Sequence, residues 1–326
     1  MILALQRVVS GVVLCGFSAA SAWSQDVSVP AIPGSETPSV SIPVKRVKID
    51  PRFVIGHTYR YVTNTNIRAQ LPDRGIREMS LQQQARYTVS PRLDGKPGSI
   101  VNGRTEHLLV SLRSAGVALK YDSFEASDRK TKFGQFLQPG LREAIEVKIN
   151  RDNRVVKSEQ PVVLQGEPEA EESLPRFGPD ELTELISLLL QGASRKSVGQ
   201  GQTWNLQGSR VVESAGEVTF ELRYQHMGTI DFEGHECEKI GVSGTLSGLL
   251  PAPASGEGGV EAEMRFDGGS LGGELVYDPL LRAYRHLKQS ISMLLEVPPS
   301  QPDSNPRQIA IEQTTSSRLL HRITTP

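Results

Sequence analysis

Neither one sign of charge nor one long apolar run dominates this sequence. Its 36 basic side chains meet 37 acidic ones, for a formal charge of −1. It therefore lacks the basic footprint of a general nucleic-acid binder or a polybasic membrane binder. Cysteine is nearly absent: Cys15 and Cys237 are the two, and Cys15 falls in a segment expected to be removed, so no internal disulfide staples the mature chain. A chain of 326 residues buries enough apolar surface to do without one, and Cys237 reads as a small buried hydrophobe. Aromatic residues make up 6% and do not interleave with basic ones, which excludes a base-stacking platform. A nucleotide-binding glycine loop is missing too. So is the stretch of roughly 20 apolar residues that a spanning helix requires.

What is present begins with an export signal. Arg7 precedes an apolar stretch from Val8 to Ala20, interrupted by Ser10, Gly11 and Gly16, and Ala20-Ser21-Ala22 forms a small-x-small cleavage pattern. Residues 1–22 are read as a signal peptide, and the mature protein is expected in the periplasm or outside the cell. Leu14 before Cys15 makes a poor lipidation site, so a lipid-anchored form is not expected. Residues 23–50, with Pro30, Pro33, Pro38 and Pro43, offer no stripe to bury and read as a flexible tether.

From Thr58 onward the dominant period is two. Met79, Leu81, Gln83, Ala85, Tyr87 and Val89 share one face; Val117, Leu119 and Tyr121 share another, as do Ile145, Val147 and Ile149 before an Arg151-Asp152-Asn153 turn and a return strand from Arg154 to Lys157. The pattern resumes with Val218, Phe220, Leu222, Tyr224 and His226, and again with Val260, Ala262, Met264 and Phe266. Two long runs follow: Leu281 to Val297, with Leu287, Ile291, Met293, Leu295 and Val297 on one face, and Ile309 to Ile323, with Ile311, Leu319 and Ile323. Runs this long exceed ordinary strands and point to a strongly curved sheet. Leu249 to Gly259 and Pro298 to Pro306 read as loops. Between Gly166 and Gly178 an acidic stretch reads as linker, and calcium-loop spacing is absent from it. One helix follows: Pro179, Asp180 and Glu181 suit its first turn, Leu182, Leu185, Ile186, Leu189 and Leu190 form an apolar stripe, Thr183, Glu184 and Ser187 face outward, and Gly192 can end it.

Gly56-His57-Thr58-Tyr59-Arg60-Tyr61 aligns with Gly201-Gln202-Thr203-Trp204-Asn205-Leu206, and a hairpin pair closes each half, around Asp152 and around Asp278-Pro279. The expected fold is mainly β: two related antiparallel, strongly curved units of half-barrel or open-barrel kind, residues 51–160 and 197–326. The linker and one amphipathic helix, 161–196, lie between them. Whether the units share one sheet is not determined by the alternation.

Chemical motifs are few. Gly268-Gly269-Ser270-Leu271-Gly272 satisfies G-x-S-x-G formally, but a strand pattern follows it where a nucleophile elbow needs a helix, so it reads as a turn between strands. His226, His235 and Cys237 include soft metal donors without any paired ligand spacing. No catalytic residue, cofactor or metal is assigned.

The export signal, the two strand starts and the Asp278-Pro279 hairpin resemble a family of exported bacterial proteins of unknown function, over most of Phe53 to Ile323. The resemblance implies a compartment and an architecture but no activity. The long curved strands with a single helix are similar in architecture to half-barrel lipoprotein and lipid carriers of the bacterial envelope. The expected role is a non-enzymatic binding module for an apolar ligand or lipidated partner. Leu185, Leu189, Leu287, Ile291, Met293 and Leu295 are its candidate groove-lining residues. The competing reading is a structural or protein-interaction module of the envelope without a small ligand; a hydrolase is the less favoured third.

Overall fold

The computed structural model describes residues 45–71, 75–114, 116–142, 144–156, 179–212, 216–251, 263–297 and 307–324. The signal segment, most of the tether, the acidic stretch and the 298–306 loop lie outside these residues. In chain order the elements are strands β1 (His57–Leu71), β2 (Gly75–Pro91), β3 (Gly98–Ser114) and β4 (Val117–Asp122), then helix α1 (Lys132–Arg142). Next come the hairpin β5 (Ile145–Asn150) and β6 (Val155–Val156) and helix α2 (Pro179–Leu190). The last six strands are β7 (Thr203–Val212), β8 (Gly216–Phe232), β9 (His235–Pro251), β10 (Glu263–Asp278), β11 (Ala283–Val297) and β12 (Arg307–Thr324).

All twelve strands belong to one antiparallel sheet, ordered β6-β5-β3-β2-β1-β12-β11-β10-β9-β8-β7, with β4 beside β3. β3 is long enough to pair with β5 over Gly98 to Gly103 and with β4 over Leu109 to Ser114. The first and last strands meet at the centre, where Thr58 to Gln70 face Ile323 to Ala310. The two halves of the chain thus form one continuous sheet, and its end strands β6 and β7 do not pair to close it.

The sheet is curled, and a strap before β1 shows how far. Asn153 in the β5–β6 turn donates its Nδ2 to Asp50 at 3.2 Å, and Arg282 in the β10–β11 turn also binds the Asp50 carboxylate. In a flat sheet the five spacings from β5 to β11 would separate these turns by about 24 Å. Val47 bridges Val198, and Ile49 exchanges hydrogen bonds with Ser194 on the other flank. Residues 45–50, expected in the tether, are therefore part of the fold: Ile49 is an apolar side chain with backbone partners, and it is fully buried.

Alternation decides which face is covered. Tyr59, Tyr61, Ile67 and Ala69 on β1, Ala85, Tyr87 and Val89 on β2, and Phe220, Leu222 and Tyr224 on β8 are buried in one apolar cluster on the concave side. Five tyrosines, Tyr59, Tyr87, Tyr224, Tyr277 and Tyr284, are among its fully buried large side chains, and Tyr61 is buried beside them. Tyr61 donates to the Tyr284 carbonyl at 3.1 Å, and Tyr284 to the Gln191 carbonyl at 2.7 Å. Bulges concentrate the bending. One, between Arg60 and Tyr61 against β12, has a second effect: Tyr61 pairs with Leu319 but Arg60 with His321. The extra residue, Leu320, reverses the faces beyond it, so Arg322 lies over the Tyr59 ring and Ile323, expected on the buried face, is 54% exposed.

Helix α2 departs from its expected one-sided burial. Leu182, Leu185, Ile186, Leu188, Leu189 and Leu190 are all buried, and so is Ser187, whose hydroxyl bonds back to the Thr183 carbonyl. A helix lying inside a trough has walls on several sides, which narrows the expected outward face to Thr183 and Glu184, both half-buried. Gly192 ends it at φ +69, where a Cβ would come within 2.9 Å of the Tyr224 ring. Helix α1 was not expected, because Gly134, Pro139 and Gly140 interrupt its pattern. Phe133, Leu137 and Leu141 nevertheless recur every four residues, and Thr131 caps the first turn by accepting from the Gly134 amide at 2.9 Å. Phe133 and Leu137 pack with Leu81, Leu108, Val110 and Tyr121 in a second, smaller core. Of the expected loop from Leu249, residues through Pro251 belong to β9; the expected return strand comprises Val155–Val156.

Two predictions follow from this packing. Asp50→Ala strands Arg282 and Asn153 together and should cost about 2–3 kcal/mol, read as a lower urea midpoint. Arg52→Ala, which removes a half-exposed partner, should cost under about 1 kcal/mol. Equal midpoints for wild type and Asp50→Ala would remove the knot from the account. Burial raises all six core tyrosine phenols above their ordinary range. Because the unfolded chain ionises these groups first, at about pH 10, the folded state holds more protons and stability falls as pH rises from there. Phenolate absorbance should grow together with unfolding; independent titration of the core tyrosines near pH 10 would contradict the packing.

Candidate functional site

The concave face of the sheet is the candidate site, and it brings together all six residues expected to line a groove. Leu185 and Leu189 on α2 and Leu287, Ile291, Met293 and Leu295 on β11 belong to the same buried apolar cluster. They do not form one uniform surface. Gln289 stands between Leu287 and Ile291 on the same face and is itself buried, so β11 carries an apolar lower part, a polar step and an apolar upper part.

That step extends sideways across four strands. Register places Gln83 opposite Thr63 and Thr63 opposite Ser317; in the adjoining row Thr65 faces Thr315 and Thr315 faces Gln289. Gln83 donates to the Thr105 hydroxyl at 2.7 Å, Thr63 donates to Ser317 at 3.0 Å, and Gln313 donates to Thr315 at 2.9 Å. The amide oxygen of Gln83 and the amide nitrogen of Gln289 have no hydrogen-bond partner, nor do the Tyr224 hydroxyl, the Trp204 Nε1 or the two amide atoms of Gln191. Tyr224 and Trp204 continue the Gln289 row at the β7 side, with stacked rings 5.5 Å apart. A buried polar atom without a partner costs about 1–3 kcal/mol, so such a concentration calls for a physical reason. Alternation alone marks only separate interruptions, Gln83 between Leu81 and Ala85 and Gln289 between Leu287 and Ile291; register joins them.

Other chemical groups are more isolated. His226 Nε2 lies 2.8 Å from Glu238 Oε2, which also accepts from the Thr229 hydroxyl at 3.0 Å, and both side chains are buried between β8 and β9. Lys45 of the strap reaches the other Glu238 oxygen at 3.4 Å. The free ring nitrogen of His226 meets no hydroxyl or thiol, so the pair activates no nucleophile. Ser270 lies inside β10, beside a bulge between Phe266 and Gly269, and is exposed. The expected turn is thus a strand interior. Its glycines serve sheet curvature: Gly268 takes φ +72, and a Cβ on Gly273 would strike the Lys288 carbonyl.

The three weighed metal donors do not converge. His226 engages Glu238 on the concave side, Cys237 precedes Glu238 and so points to the opposite face, and His235 is exposed. Among the described residues no three metal-ligating side chains gather.

The convex face has the reverse character. Arg68, Arg86, Lys288, Glu296, Glu312 and Arg318 are exposed on it, and a cationic side chain on a lipid-facing barrel wall costs about 2–4 kcal/mol at the bilayer midplane. This face is built for water. Among the described residues no helix is long and apolar enough to cross a membrane.

No family model and no curated protein matches the chain. Among solved structures, one of lipovitellin, titled for its lipid–protein interactions, is 11% identical at a TM-score of 0.44 over 84% of this chain and 26% of that one. This chain therefore spans about a quarter of lipovitellin's length. DynF from the dynemicin pathway of Micromonospora chersina is 8% identical at a TM-score of 0.23, covering 89% and 92% of the two chains. OmpF of Salmonella typhi is 8% identical at 0.21, covering 80% and 97%. At these scores none carries an argument about fold or function.

Cys237 supplies a check on the packing of the sheet. Burial, then the neighbouring Asp278 carboxylate, pushes its thiol up to about 11. At pH 8 roughly one molecule in a thousand would carry a thiolate, against about a quarter for an ordinary thiol. Alkylation by iodoacetamide should be about 100-fold slower in the native protein than in strong denaturant. Similar rates in both would place Cys237 at the surface.

Proposed function

We propose that this chain is an exported, non-enzymatic β protein whose curled sheet takes up an apolar ligand, or the acyl chain of a lipidated partner, in the cell envelope. Export rests on the Arg7, Val8-to-Ala20 and Ala20-Ser21-Ala22 pattern. The observation that carries the binding reading is the concave face itself, where apolar rows flank a neutral polar belt with unpartnered atoms. The helices pack mainly on β3, β5 and β6, so among the described residues no helix is the main cover of the buried rows around Ile291, Met293 and Leu295. The charged convex face supports a water-borne carrier over a membrane-embedded wall.

The same reading includes two related β units. Gly56 and Gly201 both take positive φ, at +76 and +81, and their amides donate to the adjoining strand at Val89 and His226. Asn153 and Arg282, both at positive φ, end the corresponding hairpin turns and both bind Asp50. A duplicated ancestor supplies one account for both pairs, with β5 and β10 as counterparts.

A second reading is favoured by the outer edge of β7, which lacks a partner among the described strands. It makes the protein an interaction module that docks an envelope protein by strand addition, with no small ligand. Native mass spectrometry with organic extraction, on mature protein purified gently from its own compartment, separates the two. A stoichiometric co-purified lipid or acyl species is the expected result. A clean apo mass, together with failure to take up acyl ligands, would reject the carrier reading in favour of docking.

A further inference from the structure

We infer that the polar belt on the concave face is a recognition site for a neutral long-chain lipid whose polar part contains both a carbonyl and a hydroxyl, as in a monoacylglycerol. The inference rests on the apolar-carrier reading and specifies its ligand. Three features of the belt select that chemistry: its charge, its hydrogen-bonding pattern and its position.

No charged side chain belongs to the belt. It is formed by Gln83, Thr105, Thr63, Thr65, Thr315 and Gln289, all buried, with Gln83 1% and Gln289 4% exposed. The ionised groups of this face lie away from the belt: Asp50 is held by the strap and its arginines, Glu238 by His226 and Thr229, Arg322 lies over the Tyr59 ring, and Arg77 stands opposite Ala69, 6 residues along β2 from Gln83. A carboxylate or phosphate at the belt would give up its water with no cation to meet it, which costs several kcal/mol in a low-dielectric interior. Uncharged hydrogen-bonding groups bear no such cost.

The belt's own bonding leaves a matched remainder. Gln83 spends its amide N–H on Thr105, and the hydroxyls of Thr63 and Thr65 face those of Ser317 and Thr315 at 3.0 and 3.4 Å. What remains is an acceptor, Gln83 Oε1, and a donor, Gln289 Nε2. The two residues stand three strand spacings apart, about 14 Å between backbones in a flat sheet and less on the concave side of a curled one, and the Gln83 amide is turned towards Thr105 on β3. A ligand hydroxyl would donate to Gln83 and a ligand carbonyl would accept from Gln289. A plain hydrocarbon satisfies neither atom; an anion can only accept and leaves Gln83 unmet.

Position completes the argument. The belt interrupts the apolar rows: Tyr61, Ala85 and Leu287 lie on the strap side, and Ile67, Ile291 and Met293 beyond it. An acyl chain with its polar part at the belt would lie along the upper rows.

The test uses the full mature protein and a fluorescent apolar probe, N-phenyl-1-naphthylamine, displaced by monolauroylglycerol or by laurate at pH 8. The expected result is probe binding, with the glyceride displacing it at a concentration at least tenfold lower than laurate. Gln83→Leu and Gln289→Leu should each bring the two competitors within about threefold, with displacement referred to each variant's own measured probe affinity, because each removes one polar contact and keeps the apolar rows. Thr65→Val, nearly isosteric, should reduce the preference in the same direction and stands in for either leucine variant that fails to fold by circular dichroism. Equal displacement by laurate and glyceride, or an unchanged ratio in the folded variants, would overturn the belt's role and leave the apolar carrier standing. Absence of probe binding and of any displacement would overturn both.

Discussion

Asp50 holds together parts of the molecule that its sheet would otherwise keep far apart. Its carboxylate meets Asn153 from one hairpin turn and Arg282 from another, with Arg52 beside it. Those turns end strand pairs that are five sheet positions apart, so the sheet can satisfy both only by bending round the strap. The curl fixes which face is concave, how much apolar surface that face hides, and where a twelve-residue helix, about 18 Å long, can lie against opposite walls.

Bending a wide sheet around so little helix creates a filling problem. Interiors are normally packed to crystal-like density, and here the base of the trough is filled with aromatic bulk: Phe53 meets Tyr59 edge-on, Tyr277 meets Tyr284, and Ile49 is buried on the strap side. At the next step along the strands threonine, serine and glutamine take positions that alternation reserves for hydrophobes, before Ile67, Ile291 and Met293 restore the apolar rows. A stability-driven core would place leucine or valine there, since each fully buried aliphatic side chain contributes about 1.5–3 kcal/mol. Retaining amides with unpartnered atoms at such positions sacrifices stability, and the proposed ligand would supply partners for Gln83 and Gln289.

Much of the fold was legible because a half-buried strand has only one way to hide its apolar side chains. Leu81, Ala85, Tyr87 and Val89, and likewise Val218 to Tyr224, sit on the face their alternation specified. What escaped was set by events that alternation does not encode. A single extra residue at Leu320 turned Ile323 outward. Gly134 and Pro139 concealed a helix that tertiary packing of Phe133 and Leu137 stabilises regardless. Ile49 stood in a proline-rich context that read as tether, although its hydrogen-bond partner Ser194 is 145 positions away. The candidate lining residues were legible as inward-facing; the belt between them was not, because Gln83 and Gln289 look like ordinary interruptions until register sets them beside the threonines of β1 and β12.

An open sheet also needs something to occupy the gap between its ends. Unpaired strand edges invite association with other chains unless they are short or covered. One end of the described sheet is β6, with 2 described residues, beside which α2 packs. Just beyond its C-terminus, Gly192 meets the ring of Tyr224 on β8, one strand in from the opposite end. Helix α2 thus links the two ends of the sheet where a closed barrel would have used strand pairing. Twelve residues are too few to hold a helix by propensity alone, so its stability comes from the apolar walls on either side. A joint made of side-chain packing can shift or part at lower cost than a ladder of backbone hydrogen bonds. That places the pliable element of this fold beside the trough that the proposed ligand would occupy.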